Sequence, residues 1–160
     1  MTAATRRQPR LSRFAGGALP LGALTAVIAL AAYAPTVARD LTWSGDGGEL
    51  ITASMTLGVP HPPGYPIYVL LGRLFALLPV GTVAWRFNLF SAVCAAAAAG
   101  LLAVAMRQAW GGRARPVAAV AAALTFAFLP LVWSQAVVAE VYSLNLLMIA
   151  AGLAVWVARG

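Results

Sequence analysis

The stretch FAGGALPLGALTAVIALAAYAPTVA, residues 14–38, carries no charged side chain. About 20 consecutive apolar residues are enough for a helix to cross the hydrocarbon core of a bilayer, so this stretch predicts a membrane span. The alternative is a cleaved signal peptide, because Ala32-Tyr33-Ala34 has the small-x-small form of a cleavage site. The apolar run is longer than the hydrophobic region of a typical signal peptide, and Pro35 follows at once. We therefore expect a retained helix.

The composition of the whole chain agrees with a membrane protein. Of its 160 residues, 62% are hydrophobic and 9% are charged, whereas soluble domains average about 25% charged residues. The mean hydropathy is +0.86. We expect an all-α, polytopic integral membrane protein with about four transmembrane helices. After a basic N-terminal segment, 1–13, the apolar runs place these spans at 14–38, 85–106, 117–132 and 141–158.

The arginines indicate how these spans are oriented, because basic residues accumulate on the cytoplasmic side of membranes. With the N-terminus inside, four spans leave the loop 39–84 outside, together with the histidine and all four acidic residues. This orientation predicts a bacterial-type cytoplasmic membrane and an extracytoplasmic loop. The net charge of +7 is then explained by topology and anionic lipid headgroups, and no nucleic-acid partner is expected. The arginines predicted to lie inside are Arg6, Arg7, Arg10, Arg13, Arg107, Arg113, Arg115 and Arg159.

The loop contains SGDGGELITASMTLGVPHPPGYP, residues 44–66, which predicts a short helix followed by a rigid, proline-rich strip. Asp46 and Glu49 have the spacing of a capping box, in which each side chain accepts a backbone N–H at the helix start. Gly58 suits the left-handed position that ends a helix. The prolines around His61 favour extended backbone. A carboxylate at such a helix start can also act as a base or bind a cation.

Further polar residues flank this loop. The segment 67–80 is too short to cross a membrane and predicts an amphipathic helix on its surface, with Arg73 directed at headgroups or at a substrate. Glu140 is the one acidic residue in the second half of the chain. A carboxylate near the membrane is unfavourable without a task or a partner, and Arg86 is a candidate partner. Tyr142 belongs either to this site or to the aromatic belt of the membrane interface.

Several catalytic signatures are absent from the sequence, which has no Walker loop, HExxH, CxxC or nucleophile elbow. With a single histidine and a single cysteine, we expect neither a catalytic triad nor a zinc site. Cys94 lies in an alanine-rich run and is predicted to be a small core residue. The remaining candidates point to carboxylate chemistry at a membrane surface.

The sequence also resembles a known family. The segment GDGGELITASMTLGVPHPPGYPIYVLLGRLFALLPVGTVAWRFNLFSAVCAA is similar to the opening of a membrane protein family long catalogued as a domain of unknown function. The eukaryotic relative of that family is an endoplasmic-reticulum protein O-mannosyltransferase. The segment WSQAVVAEVYSLNLL resembles the family's second motif, and the resemblance runs from about Leu41 to Leu147. It implies a C-type glycosyltransferase, with many transmembrane helices and an acidic first extracytoplasmic loop.

This resemblance implies that a sugar, with mannose as the candidate, passes from a polyprenyl-phosphate carrier to an acceptor hydroxyl. The acceptor would be a protein, a glycan or a lipid, and the carrier would reach the site through the membrane. Asp46 is the expected base, which takes the proton from the acceptor hydroxyl. Glu49 is the second catalytic carboxylate, and with Glu140 it would orient the acceptor or the base.

The resemblance also implies a phosphate-binding set. His61 and Arg73, together with Arg86, would bind the carrier phosphate and stabilise it as it leaves. A divalent cation that bridges carboxylate and phosphate is compatible with such a site, but the visible ligands are too few to predict a metal centre. The substrate-binding residues implied are His61, Tyr65, Arg73, Arg86, Glu140 and Tyr142.

Two non-catalytic alternatives remain open, a membrane transporter and a structural subunit of a membrane complex. Transporters often contain broken helices and charges near the midplane of the bilayer. Here the acidic residues gather at one surface and the predicted spans are continuous, while a structural subunit leaves the polar loop unexplained. Members of the resembled family are several times longer than this chain. We therefore expect an N-terminal portion or a truncated reading frame, without the remaining helices that activity would need.

Overall fold

The computed structural model of this chain describes residues 17–43, 45–110 and 115–159. The segment 1–13 and Arg113, for which the sequence predicts a cytoplasmic position, lie outside these described residues. Within them the regular structure is helical, and a short 3₁₀ turn, Ala34–Thr36, extends the first helix. The α-helices are α1 (Ala18–Tyr33), α2 (Gly47–Thr56), α3 (Pro66–Ala76), α4 (Val83–Ala109), α5 (Pro116–Ala127), α6 (Pro130–Ala136) and α7 (Tyr142–Arg159).

Three of these helices are long and apolar enough to cross a membrane. They are α1 with its 3₁₀ extension, α4 and α7, and the bent pair of α5 and α6 makes a fourth candidate span. The protein is therefore an all-α membrane protein with three or four membrane-spanning helices among its described residues. The predicted spans 14–38, 85–106 and 141–158 each coincide with one of the three helices, within a few residues at each end.

The third predicted span, 117–132, is not continuous, and that part of the prediction is wrong. The axes of α5 and α6 differ by 71° at the break between them. Leu129 has an extended backbone, with φ −56° and ψ 136°, and it precedes Pro130. A residue before proline is pushed out of the helical region, and the proline has no N–H to continue the helix. The break therefore follows from local stereochemistry.

The helix α4 is the centre of the bundle and contacts α1, α5, α6 and α7. Its alanine-rich face is buried against α1, where Ala92 and Ala96 pack around Ala29 and Tyr33. Lipid tails are as apolar as these side chains, so helices associate in membranes mainly where small residues let their backbones approach closely. Cys94 is buried in the same helix, as the sequence predicts.

The closest approach of α1 to α4 involves two glycines, and we expect a side chain there to destabilise the bundle. A Cβ at Gly100 would lie 2.6 Å from the carbonyl oxygen of Gly22, and backbone cannot move aside cheaply. Replacing Gly100 with valine should lower the free energy of unfolding by about 1–3 kcal/mol, measured as a lower melting temperature in detergent. The control is Gly152→Val in α7, where a Cβ meets nothing within 4 Å. Equal melting temperatures for the two variants would contradict this account of the packing.

The order of the helices separates the charged residues between the two ends of the bundle. Arg107 is in the last turn of α4, Arg115 precedes α5 and Arg159 is in the last turn of α7. Because α5 returns from the end of α4 and α7 descends again, these three arginines lie at one end. At the other end, near the start of α4, the Ser91 hydroxyl lies 3.3 Å from the backbone nitrogen of Glu140.

The two short helices α2 and α3 lie at the end of the bundle where α4 begins. The helix α3 has 11 residues and a length of about 16 Å, which is too short to cross the ~30 Å hydrocarbon core. Its exposed face is apolar and includes Ile67, Leu70 and Leu74. The prediction of a helix too short to cross the membrane is thus confirmed, and the helix covers 66–76 instead of 67–80. Its position on the membrane surface stays a prediction.

The end of α2 differs from the expectation. The left-handed residue is Leu57, with φ 53°, and not Gly58. The N–H of Gly58 donates to the carbonyl oxygen of Ala53 at 2.8 Å, so the helix terminus is satisfied one residue earlier than predicted. A non-glycine residue in this conformation is uncommon. The turn that follows places His61 against α2.

Candidate functional site

The side chains of Asp46, Glu49 and His61 meet at the exposed end of the bundle. Asp46 is the N-cap residue of α2, and Glu49 lies in the first turn of that helix. His61 Nδ1 lies 2.8 Å from Glu49 Oε2, and His61 Nε2 lies 3.6 Å from Asp46 Oδ2. The imidazole is therefore placed between two carboxylates. We call these three residues the acidic-histidine cluster.

The predicted capping box is not formed, although the helix starts where it was expected. The Asp46 side chain makes no capping hydrogen bond. The Glu49 carboxylate accepts from the backbone N–H of His61 at 2.7 Å, in addition to its contact with the imidazole. A hydrogen bond between a carboxylate and an imidazolium is charge-assisted and stronger than one to a neutral amide. Glu49 therefore binds the strip after the helix and not the start of its own helix.

The strip HPPGYP contains a tight turn, whereas its prolines predict a rigid, extended strip. The N–H of Gly64 donates to the carbonyl oxygen of His61 at 2.9 Å. Gly64 and Tyr65 have positive φ angles of 89° and 42°, which reverse the chain before Pro66 begins α3. The Tyr65 ring then packs edge-on against the imidazole at 5.4 Å between ring centroids. The turn thus returns His61 to the start of α2.

The cluster favours a charged histidine. Its hydrogen bond to Glu49 raises the pKa of His61, and the same bond together with the one from the His61 backbone lowers the pKa of Glu49. All three side chains are partly exposed, at 38% for His61, 47% for Glu49 and 55% for Asp46. A substrate can therefore reach an imidazolium and two carboxylates from solvent.

Glu140 supports this cluster from the interior of the protein. It lies between α6 and α7, is 7% exposed, and its Oε1 accepts the backbone N–H of Asp46 at 3.0 Å. Burial is the main cause of its raised pKa. Gly45 passes directly over the same carboxylate oxygen, and a Cβ at that position would overlap it. Gly45 was not predicted to belong to the site, although its place in the GDGGE motif was a signal. Ser91, whose hydroxyl contacts the backbone of Glu140, was not predicted either, because the sequence offers no signal for it.

Two predicted site residues, Arg73 and Tyr142, make their contacts elsewhere. The Arg73 guanidinium donates to the carbonyl oxygen of Met55 at 3.2 Å and so links α3 to the end of α2. Tyr142 is 59% exposed and lines a separate cleft beside Leu131 and Gln135. Among the described residues, neither of these side chains contacts the acidic-histidine cluster.

The predicted pairing of Arg86 with Glu140 is wrong. The Arg86 guanidinium donates to three carbonyl oxygens, those of Ala76 and Val80 at 2.7 Å and that of Gly81 at 3.1 Å. These carbonyls belong to the end of α3 and to the turn after it, which have no helical partners of their own. Arg86 therefore closes the end of α3, and it makes no ion pair within the described residues.

A metal ion would find three ligands at the cluster. One ligand atom from each of Asp46, Glu49 and His61 lies within 4.8 Å of the others, and carboxylates with an imidazole suit several divalent cations. The hydrogen bond to Glu49 engages Nδ1 of His61, so Nε2 is the atom that would bind a metal. It could do so only in the neutral imidazole, because a protonated Nε2 cannot be a ligand. The residues thus fit a cation that takes its remaining ligands from water or from a bound phosphate.

Comparison with known proteins identifies relatives of this chain. Residues 46–159 match the family described as "Protein O-mannosyl-transferase TMEM260 N-terminal domain". A Mus musculus protein named "Protein O-mannosyl-transferase TMEM260" is 43% identical over 120 residues, which cover 74% of this chain and 16% of the relative. A Dictyostelium discoideum protein, "Protein O-mannosyl-transferase tmem260", is 33% identical over 124 residues, covering 72% of this chain and 14% of the relative. No solved structure gives a significant match. The chain thus spans a small part of the length of these relatives, and the matched region contains the whole acidic-histidine cluster.

Proposed function

Because this chain belongs to the family of the protein O-mannosyl-transferase TMEM260 N-terminal domain, we propose that it is the N-terminal part of a membrane mannosyltransferase. The donor is a mannose linked to a polyprenyl phosphate, and the acceptor is a hydroxyl group of a protein, a glycan or a lipid. The reaction takes place on the extracytoplasmic side of a bacterial-type cytoplasmic membrane. The observation that carries the proposal is the exposed acidic-histidine cluster at one end of the helical bundle.

The distribution of charge supports the proposed side of the membrane. The cluster lies at the end of the bundle opposite Arg107, Arg115 and Arg159. Eight of the eleven arginines are predicted from the sequence to lie on the side opposite the cluster, and three, Arg39, Arg73 and Arg86, on its own side. Basic residues accumulate on the cytoplasmic side, and this excess favours the extracytoplasmic side for the cluster. A lipid-linked sugar has its phosphate at the membrane surface, which is where the short helices α2 and α3 hold these side chains.

Asp46 is the base in this proposal. Its carboxylate takes the proton of the acceptor hydroxyl while the hydroxyl oxygen forms a bond to the anomeric carbon of mannose. The bond between that carbon and the phosphate oxygen breaks, and its electron pair leaves with the polyprenyl phosphate. Asp46 suits this role because its side chain is the most exposed of the three and makes no capping hydrogen bond.

His61 binds the carrier phosphate and stabilises its charge as it leaves. Glu49 keeps the imidazole protonated through the 2.8 Å contact with Nδ1, so that Nε2–H is available to donate to a phosphate oxygen. Tyr65 holds the ring in place from its edge. Since Arg86 and Arg73 bind backbone carbonyls, we assign them to positioning α3 and not to the phosphate. A divalent cation is the alternative source of positive charge at this place, because His61 could hold a metal only as the neutral imidazole.

The break between α5 and α6 favours a transporter as the alternative function, because transporters often contain broken helices. Such helices usually carry polar or charged groups at the break to bind the solute or its coupling ion. Neither α5 nor α6 contains a charged residue. The acidic residues of the cluster lie on other elements, at the end of the bundle, so the enzyme remains the better account.

The donor and the role of His61 can be tested together by the pH dependence of transfer. Membranes that contain a full-length protein with this N-terminal part should transfer mannose from polyprenyl-phosphate mannose and not from a nucleotide-linked mannose. The pKa of His61 is raised above its ordinary value of 6.5, so the imidazolium is complete below that value and is lost as pH rises through the raised pKa. Transfer should therefore fall on the alkaline side.

The variant Glu49→Gln tests whether Glu49 raises the pKa of His61. Without the carboxylate, the pKa of His61 returns toward its ordinary value, and the alkaline decline of transfer should move to lower pH. The variant His61→Gln should be slow at every pH and should lose this decline. An unchanged alkaline limb in both variants would remove His61 from the phosphate site, and transfer from the nucleotide donor would overturn the proposed donor class.

A further inference from the structure

An apolar cleft lies beside the acidic-histidine cluster, between the HPPGYP turn and the start of α7. Its volume is about 370 Å³. Pro63, Tyr65 and Ile67 contribute to one wall, and Leu144, Asn145 and Met148 contribute to the other. We call it the turn–α7 cleft.

We propose that the turn–α7 cleft binds the first isoprene units of the polyprenyl-phosphate donor, an inference that rests on the proposed function. Tyr65 belongs to both places, since its ring packs against His61 and also lines the cleft. An apolar site and a site for a phosphate are therefore contiguous. A ligand that fills both must be an amphiphile with an anionic head, and polyprenyl phosphate has this form.

The polarity of the cleft indicates how the donor lies in it. Asn145 is in the first turn of α7, and Met148 lies three residues further along the same helix, about 4.5 Å deeper. The phosphate end of the ligand therefore faces Asn145 and the cluster, and the prenyl chain continues past Met148. At the head end, Pro63 and Tyr65 line the wall opposite α7.

Asn145 is the residue that we expect to select the phosphate. It is exposed on a membrane-spanning helix, where an unpaired carboxamide is unfavourable. Within the described residues its side chain makes no hydrogen bond, in contrast to Asn88, which donates to the carbonyl oxygens of Ala38 and Asp40. A carboxamide N–H at the mouth of an apolar cleft can donate to a phosphate oxygen that His61 binds from the other side.

The test uses a polyprenyl monophosphate with a diazirine in its first isoprene units, photolysed with the full chain in proteoliposomes. Met148→Trp should fill the cleft and reduce labelling about tenfold or more. The matched control is Ile149→Trp, since Ile149 is 65% exposed on the same helix but does not line the cleft. Its labelling should stay within about a factor of two of the parent protein. Met148 is itself 52% exposed, so both variants should fold, and equal melting temperatures check this.

A second variant examines the head of the ligand. Asn145→Leu should reduce labelling by the phosphate probe about tenfold, the effect of one hydrogen bond to a charged group, and should leave labelling by the uncharged prenol probe unchanged. Equal labelling of the two tryptophan variants would overturn the cleft assignment, as would equal competition by an ordinary anionic phospholipid. Either result would leave the donor class standing if transfer from polyprenyl-phosphate mannose is observed. Absence of that transfer would instead overturn the proposed function.

Discussion

In a full-length protein that carries the proposed mannosyltransferase activity, replacing Asp46 with asparagine should reduce mannose transfer by about 10²- to 10⁴-fold, the usual contribution of a general base. Asparagine has nearly the same size and can still accept a hydrogen bond, but it cannot take a proton from the acceptor hydroxyl. The backbone N–H of Asp46, which donates to Glu140, is unaffected by the change. The helix α2 should therefore start as before, and the measurement is the rate of transfer at saturating donor and acceptor.

Asp40→Asn is the matched control for this experiment. Asp40 is an exposed carboxylate at the same end of the bundle, and the cluster of Asp46, Glu49 and His61 does not include it. Its substitution removes the same charge and should leave the rate within about a factor of two. Full activity of Asp46→Asn, or an equal loss in both variants, would show that Asp46 is not the base.

Removing the Glu140 side chain should have the second largest effect. In Glu140→Ala the N–H of Asp46 loses the buried acceptor at 3.0 Å, and Gly45 loses the group against which it packs. The start of α2 is then free to shift, and a displacement of about 1 Å at a catalytic group can cost about 10²-fold in rate. We expect transfer to fall about 10- to 100-fold, with a loss of stability of about 1–3 kcal/mol for the unpaired N–H.

The variant Glu140→Gln distinguishes positioning from charge. Its amide oxygen can accept the Asp46 N–H as the carboxylate does, so transfer should recover to within about a factor of three of the parent protein. If glutamine and alanine were equally inactive, the negative charge itself would be required and the positioning role would be wrong. Melting temperatures of both variants show whether any loss arises from unfolding.

The architecture could largely be predicted from the sequence, because it depends on local properties. Apolar runs of sufficient length predict the three long helices, and the residues at 46 and 66 begin α2 and α3 close to where they were expected. The break between α5 and α6 was missed although Pro130 marks it. The length of an apolar run does not reveal whether the helix bends. The bend has to be predicted from the effect of Pro130 on the backbone.

The sequence predicted part of the acidic-histidine cluster, whereas Arg73, Arg86 and Tyr142 make their contacts elsewhere. Asp46, Glu49 and His61 do come together, and Glu140 reaches them from a position 94 residues away in the chain. The partners differ from the expectation, since Glu49 binds His61 and not its own helix start, and Arg86 binds carbonyls and not Glu140. Several donors and acceptors of similar strength compete for each of these groups.

By itself, the sequence determined where the membrane helices lie, how charge divides between the two ends of the bundle, and which carboxylates begin α2. These follow from side-chain polarity, helix length and backbone stereochemistry, which act over a few residues. Only the tertiary structure decided which polar groups are paired, that Glu140 holds the backbone of Asp46 from within, and that an apolar cleft opens beside His61. Those features depend on the distance between segments that are remote in the chain, and packing sets that distance.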